Sequence, residues 1–331
     1  MMLLADNLSM FDPASPAADS IRKASILVLV ITGFIFILVE GILVYAICRF
    51  RGGANLREPP QVYGSKPIEI AWTAAPALIV FVLLMVTVRT IWEVNPTPPA
   101  PQPGDRALFV TAIGHQWWWE YRYDHYDGKR LSFVTANELH IPAGAAGADR
   151  PVYLTLLSAD VCHSYWVPRL AGKTDMIPGR ANYLWLQTDR PDLYLGQCAE
   201  FCGSQHANML IRVVAEPAGD FERWLANEAK DQTPRDNDSE AVRLGRNVFF
   251  GQSCVSCHRI AGTVAEGSYA PDLTHLMSRK TLAAGMIPNT PDNLRQWIAD
   301  PQKIKPSCLM PAFGLSDRDR DAIVEYLVTL R

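Results

Sequence analysis

The chain has 331 residues, 49% of them hydrophobic and 20% charged, and a formal net charge of −3. That length suits two or three domains, and the composition excludes a disordered or strongly charged chain. The charge balance gives no electrostatic basis for nucleic acid as a partner. Seven cysteines, an odd number, do not make a disulfide scaffold in a chain of this size, and their spacings read as ligand sets.

The first 94 residues are expected to form an N-terminal arm and two transmembrane helices, at about 24–47 and 70–90. Ala24 to Ile47 is 24 residues with one charge, Glu40, and Ile70 to Val88 is 19 residues with none, with Pro76 in its first half. At 1.5 Å per residue the first block reaches about 36 Å, enough for the apolar core of a lipid bilayer. The connecting stretch carries Arg49, Arg51, Arg57 and Lys66 against Glu58 and Glu69, whereas the arm before Ala24 has Arg22 and Lys23 as its bases. The positive-inside rule then puts the connection in the cytoplasm, and the N-terminus and everything after Trp92 outside. Met1–Ser20 has no long apolar run and three Asp, so the first helix is expected to act as an uncleaved signal. Glu40 within a span is costly unless it faces another protein segment, which implies a larger membrane complex.

Residues 95–105 hold five prolines and read as a stiff extended linker. From 106 to 217 the chain runs in short β-branched and aromatic segments broken by Gly, Pro and Asp, the pattern of an all-β antiparallel sandwich or barrel. A helix over 216–230 and a polar, acidic linker complete the stretch to residue 238. Residues 239–331 read as an all-α domain. Its second helix is expected to start at Thr290 followed by Pro291, and its last at Ser316 with Asp319 three residues on. Ile323, Val324, Leu327 and Leu330 form one apolar face of that last helix.

Cys254-Val-Ser-Cys257-His258 is the pattern for covalent attachment of haem c. Two thiols three residues apart bond to the two vinyl-derived carbons of one haem, and His258 then lies under the iron. A zinc site needs a second close pair of ligands, and the other Cys and His nearby are Cys308 and His275. The sixth ligand is sought among Met277, Met286, Met310 and His275. Met310, followed by Pro311 and placed just before the last helix, is best presented on a loop, and a Met/His pair raises the potential of an electron-transfer haem.

A second constellation lies in G-Q-C-A-E-F-C-G-S-Q-H-A-N-M-L, with Cys198, Cys202, His206 and Met209, and in D-V-C-H, with His163. Thiolates, imidazoles and a thioether form a soft set suited to copper. One Cys, two His and a weak Met make a mononuclear blue site; a second Cys with the same two His gives two bridging thiolates and a binuclear centre. The Glu200 backbone carbonyl is available for the remaining weak position. A Cys198–Cys202 disulfide leaves the phasing of His206 and Met209 unexplained. Cys48, Cys162 and Cys308 read as non-ligands.

At these residues the chain resembles subunit II of a haem–copper cytochrome c oxidase with a fused C-terminal cytochrome c domain. The stretches that carry the resemblance are G-H-Q-W-W-W-E-Y at 114–121, D-V-C-H-S-Y-W-V-P at 160–168, K-T-D-M-I-P-G-R at 173–180, the 198–209 loop, and P-I-E-I-A-W-T-A-A-P at 67–76. The resemblance implies a multi-domain chain: a two-helix transmembrane hairpin, an all-β cupredoxin-like sandwich or barrel, and an all-α cytochrome c domain. It implies an electron-transfer subunit that passes electrons from an external cytochrome c-type or other redox-protein donor through haem c to the binuclear copper A centre, and on to the oxygen-reducing haem–copper site of subunit I, with proton translocation. It further implies Trp117 as the electron-entry residue, a Glu200 carboxylate reaching a magnesium ion shared with subunit I, and Glu69 at the mouth of a proton channel. Subunit III is an implied partner, and the bacterial inner membrane the implied location, with the copper and haem domains on its outer face. Two rivals are a membrane-anchored electron shuttle without an oxidase, against which Glu40 and Glu69 argue, and a nitrous-oxide-reducing enzyme, whose second, His-rich copper cluster a chain with seven His cannot supply.

Overall fold

The computed structural model describes residues 8–51, 61–94, 106–144, 150–233 and 238–331. The proline-rich segment 95–105, the charges Arg57 and Glu58, and residues 234–237 of the acidic linker lie outside the described residues. Two units are present, Asp19–Val94, and Met1–Ala18 together with Asn95–Arg331.

The first unit is helical. α1 (Pro16–Arg49) and α2 (Lys66–Val94) are long and apolar enough to cross a membrane. Both outrun the apolar blocks read from sequence. Polar flanks extend them through ion pairs one turn apart, Asp19 with Arg22 (2.6 Å) and Lys23 (2.7 Å) on α1, and Arg89 with Glu93 (2.8 Å) on α2. Val30, Phe34, Phe36 and Ile37 stand 63–72% exposed, a surface that water does not stabilise and a bilayer or a partner helix covers.

The second unit holds the sandwich and the C-terminal domain. The sandwich strands are β1 (Leu108–His115), β2 (Trp118–Tyr126), β3 (Lys129–Ala136), β4 (Glu138–Ala143), β5 (Val152–Ser158), β6 (His163–Trp166), β7 (Thr174–Met176), β8 (Asn182–Leu186), β9 (Asp192–Cys198) and β10 (Leu210–Pro217). One five-stranded sheet runs β3-β2-β1-β5-β8 and the other β4-β10-β9-β6-β7. Side chains alternate across each sheet, so period two selects the core: Trp119, Tyr121 and Tyr123 of β2 and Val152, Leu154 and Leu156 of β5 are all buried. The sheets are not purely antiparallel as expected, since β1 pairs parallel with β5 and β4 parallel with β10. Alternation reports which face is buried and carries nothing about which strand lies alongside. α3 (Ala218–Glu228) closes one end of the core with buried Phe221 and with Trp224, which stacks on His140 at 4.2 Å.

The N-terminal arm packs against this sandwich. Ala14 N–H donates to the Arg169 carbonyl (2.8 Å), and the Arg169 guanidinium pairs with Asp12 (2.8 Å). Ser15 bridges, its hydroxyl donating to the Leu170 carbonyl and accepting from Ala18 N–H (2.9 Å), which caps α1. Sequence periodicity gave no sign of this contact, because the arm has no repeating pattern.

In the C-terminal domain, α4 (Glu240–Gly251) is capped by Ser239, α6 (Pro291–Ala299) by Thr290 and α8 (Asp317–Leu327) by Ser316. α5 (Cys254–Cys257) and α7 (Pro301–Ile304) are single turns. The domain departs from all-α by a small hairpin, β11 (Thr281–Leu282) with β12 (Ile287–Pro288). The acidic linker starts as packed chain, with Gln232 N–H on the Ala261 carbonyl (2.9 Å) and its side chain on the Arg331 carbonyl (2.8 Å). α4 and α8 cross at Gly245, where an added Cβ would lie 1.8 Å from the Ala322 carbonyl oxygen. Backbone cannot yield as a side-chain tip does, so Gly245→Ala is expected to destabilise this domain by about 3 kcal/mol. Its thermal midpoint, followed by circular dichroism, should fall by roughly 10 °C or more.

Candidate metal centre and haem cavity

The metal-ligand candidates hang between paired strands. Cys198 ends β9 and Leu210 opens β10, with Leu210 opposite Gln197 in the ladder. Cys198 N–H donates to the Met209 carbonyl (3.0 Å), closing the intervening loop at its base. Gly203 turns inside the loop at φ +115°, where a Cβ would meet the Trp117 ring at 2.9 Å. His163 opens β6, which pairs with β9 so that Tyr165 faces Cys198.

Cys198 Sγ and Cys202 Sγ stand 3.8 Å apart. A disulfide requires about 2.04 Å, so these are two separate sulfurs. His163 Nδ1 lies 3.9 Å from Cys198 Sγ, and His206 Nδ1 lies 3.8 Å from Cys202 Sγ. Met209 Sδ is 3.9 Å from Cys202 Sγ, and the Glu200 carbonyl oxygen is 3.2 Å from Cys198 Sγ. Cys198, Cys202, His163 and Met209 are all at most 3% exposed. A buried pair of sulfurs, with one imidazole nitrogen beside each and two weaker donors, fits two soft metal ions held between them. The thiol of Cys202 donates to Cys198 and, with help from His163, holds Cys198 well below the usual thiol range, while Cys202 is pushed up.

Asp160 was not singled out from sequence, although it sits three residues before His163. Its carboxylate accepts His163 Nε2–H (2.8 Å) and the Gln116 backbone N–H (2.7 Å). That bond assigns Nδ1 of His163 to the sulfur side, the usual arrangement behind a metal-bound histidine.

Trp117 lies against the same loop, 9% exposed, its indole N–H donating to the Cys202 carbonyl (2.9 Å). The Gln116 side-chain amide donates to that same oxygen (2.8 Å). Gln116, Trp117 and Trp118 also form part of the wall of a large cavity in the C-terminal domain.

Cys254, Cys257, His258 and Met310 line that cavity, and Phe249, Leu273, Leu294, Ile298, Ile323 and Leu327 make its wall apolar. His258 Nδ1–H donates to the Pro271 carbonyl (2.7 Å), leaving Nε2 for a ligand, and burial pushes its pKa down, so the ring is neutral. Arg279, also on the wall and buried, has an Nε–H with no partner among the described residues, while another of its nitrogens donates to the Asp272 carbonyl. Two thiols, a neutral imidazole and a thioether on the wall of an apolar cavity, with the Arg279 guanidinium buried beside it, fit a haem, whose plane is apolar and whose propionates are anionic.

The other sixth-ligand candidates point away. His275 engages both ring nitrogens elsewhere, with the Lys230 carbonyl (2.9 Å) and the Gln232 amide (3.3 Å). Met277 packs into the domain core, Met286 sits in the β11–β12 turn, and neither lines the cavity. Gln302 on α7 holds the Met310 loop, donating to the carbonyls of Cys308 (2.9 Å) and Met310 (3.0 Å) and accepting from Ser307 N–H (2.8 Å). Nothing in the sequence marks Gln302.

The Glu200 side chain is exposed. Glu69 stands in the first turn of α2 in the other unit, its carboxylate accepting Ser65 N–H (3.2 Å). Cys48 and Cys162 are exposed, and Cys308 is half-buried on the cavity wall.

Three family models match the chain: the transmembrane domain of cytochrome c oxidase subunit II over residues 4–94, the periplasmic domain of that subunit over 108–216, and cytochrome c over 242–331. Cytochrome c oxidase subunit 2 of Alkalihalophilus pseudofirmus is 32% identical over 328 residues, covering 98% of this chain and 92% of that relative. The subunit 2 of Bacillus subtilis is 31% identical over 340 residues, with the same two coverages. A crystal structure of the periplasmic domain of subunit II of cytochrome oxidase from Bradyrhizobium japonicum is 27% identical, with a TM-score of 0.33, and covers 39% of this chain and 96% of that one. With a membrane hairpin, a sandwich bearing two buried cysteines and a C-x-x-C-H domain in that order, the chain belongs to the cytochrome c oxidase subunit II family, in the form that carries a C-terminal cytochrome c domain.

Proposed function

We propose that this subunit carries electrons from an external cytochrome c-type or other redox-protein donor through haem c to a binuclear copper A centre, and on to the oxygen-reducing site of subunit I. The observation that carries the proposal is Trp117, which touches the metal loop through the Cys202 carbonyl and the cavity wall through its own segment. His163, Cys198, Glu200 (through its carbonyl), Cys202, His206 and Met209 would hold the copper pair; Cys254 and Cys257 would attach haem c, with His258 and Met310 on its iron. When bound, these groups would supply one-electron carriers. The chain's own part is to keep the ligands rigid, exclude water from the sulfurs and hold Trp117 between the two sites.

Membership of the family makes the chain a membrane-anchored subunit that associates with subunit I in a haem–copper oxidase, with copper and haem as its cofactors. Finer assignments are part of the proposal: a two-pass topology in the bacterial inner membrane with the copper and haem domains on the outer face, subunit III as a further neighbour, the Glu200 carboxylate on a magnesium ion shared with subunit I, and Glu69 at a proton-channel mouth. The arm supports the topology. Asp12 and Ala14 bind the sandwich, so the N-terminus and the copper domain share one side, which an even number of spans requires.

Three measurements test the proposal on the purified oxidase. The oxidised complex should give an electron-spin signal split by two copper nuclei, which Cys202→Ser abolishes; a mononuclear blue-copper spectrum would refute the binuclear site. Cys257→Ala should block covalent haem attachment and leave the copper signal intact. Donor-driven oxygen consumption should then fall about a hundredfold, because the tethered donor at millimolar effective concentration is lost. Unchanged turnover would make the haem a bypass. Met310→Ala should lower the haem c potential by about 0.1 V or more and remove the weak long-wavelength sulfur-to-iron band. Survival of that band in Met310→Ala and its loss in Met277→Ala or Met286→Ala would reassign the ligand.

A further inference from the structure

Lys305 is a buried cation with no carboxylate within ion-pair distance among the described residues. It caps the C-terminus of α7 and is 2% exposed. Its Nζ donates to three backbone carbonyls, Trp117 (2.8 Å), Asn208 (2.9 Å) and Ala283 (3.1 Å). An ammonium has three protons, and all three are used. Burial draws its pKa down to about 8, so it is still charged at neutral pH. Two of the three acceptors belong to the copper domain: one is the carbonyl of the expected electron-entry residue, the other adjoins Met209. The third belongs to the turn between β11 and β12.

That turn is strained. Ala283, Ala284 and Gly285 all take left-handed backbone (φ +55°, +59° and +89°), which alanine rarely adopts. Each of their carbonyls is taken up at the domain boundary: Ala283 by Lys305, Ala284 by Leu210 N–H (3.2 Å), and Gly285 by the Arg212 guanidinium (2.9 Å). Glu138 of β4 receives the start of the hairpin from the other side, accepting Lys280 N–H (2.9 Å) and the Thr281 hydroxyl (2.6 Å). Strain of this kind persists where surrounding contacts over-determine it.

We infer that Lys305 is the positioning residue that fixes the cytochrome c domain on the copper domain, holding Trp117 at the cavity wall so that electrons cross from a set geometry. The role rests on the electron path proposed above. A domain tethered by its linker alone would search for its contact at each turnover; a pinned domain does not.

The test uses the full oxidase complex with Lys305→Met, which keeps the apolar stem and leaves three buried carbonyls unpaired. Hydrogen exchange of peptides over Thr281–Pro288 should accelerate about tenfold or more, while peptides in α4 and α8 keep their protection. Donor-driven kcat should fall by a similar factor with KM for the donor unchanged. Glu138→Gln loosens the same hairpin from the copper domain without touching the helices of the cytochrome c domain, and reads the dock even if Lys305→Met disturbs that domain. Wild-type exchange at the hairpin in both variants overturns the inference. A loosened hairpin with full kcat upholds the pin and refutes the electron path, so the two failures are distinguishable.

Discussion

The Cys198 N–H to Met209 carbonyl hydrogen bond is the contact on which the proposed metal centre depends. It ties the ends of the ligand loop at the point where β9 and β10 begin their ladder, so every ligand in the loop is measured from a fixed base. Two sulfurs a few ångströms apart repel one another when ionised and would drift apart on a free loop. Here they inherit the stiffness of a packed core. His163 comes from the next strand of the same sheet and lies so close to β1 that a Cβ at Gly114 would meet its ring at 2.8 Å. The candidate site is thus a consequence of sandwich packing, with Asp160 orienting His163, the one candidate ligand that the loop does not supply.

The segment Gln116–Trp118 does two jobs at once. Its side chains grip the Cys202 carbonyl, and the same residues complete a wall that the helical domain leaves open. The single turn α7 is the counterpart on the other side. Gln302 shapes the Met310 loop and Lys305 reaches across to the sandwich, so one short turn contacts both the cavity loop and the neighbouring domain through residues three apart.

What could be read from the sequence was whatever short-range spacing encodes. Cys254, Cys257 and His258 are adjacent, Cys198 to Met209 fall within one loop, and the caps at Thr290 and Ser316 are local, so each was visible without coordinates. The apolar blocks marked both long helices but understated their length, since ion pairs carry a helix past its hydrophobic stretch. Parallel pairing of β1 with β5, the arm on Arg169, the buried Arg279 and the bridging Lys305 escaped. All are meetings of residues distant in the chain, and a lone Lys or Arg gives no hint of what it will face.

The boundary between the two domains is written largely in main-chain oxygen. Trp117, Asn208, Ala283, Ala284, Gly285 and Pro306 each contribute a carbonyl to it. A carbonyl is the same whatever side chain its residue bears. A side-chain change at Asn208 or Pro306 therefore leaves the acceptor in place provided the backbone keeps its path, whereas Trp117 is held by its indole contact and Gly285 by its left-handed backbone. The evolutionary record of this contact should be concentrated in a few donors and in the backbone geometry of one turn, and alignments of side chains will understate how old and how constrained the contact is.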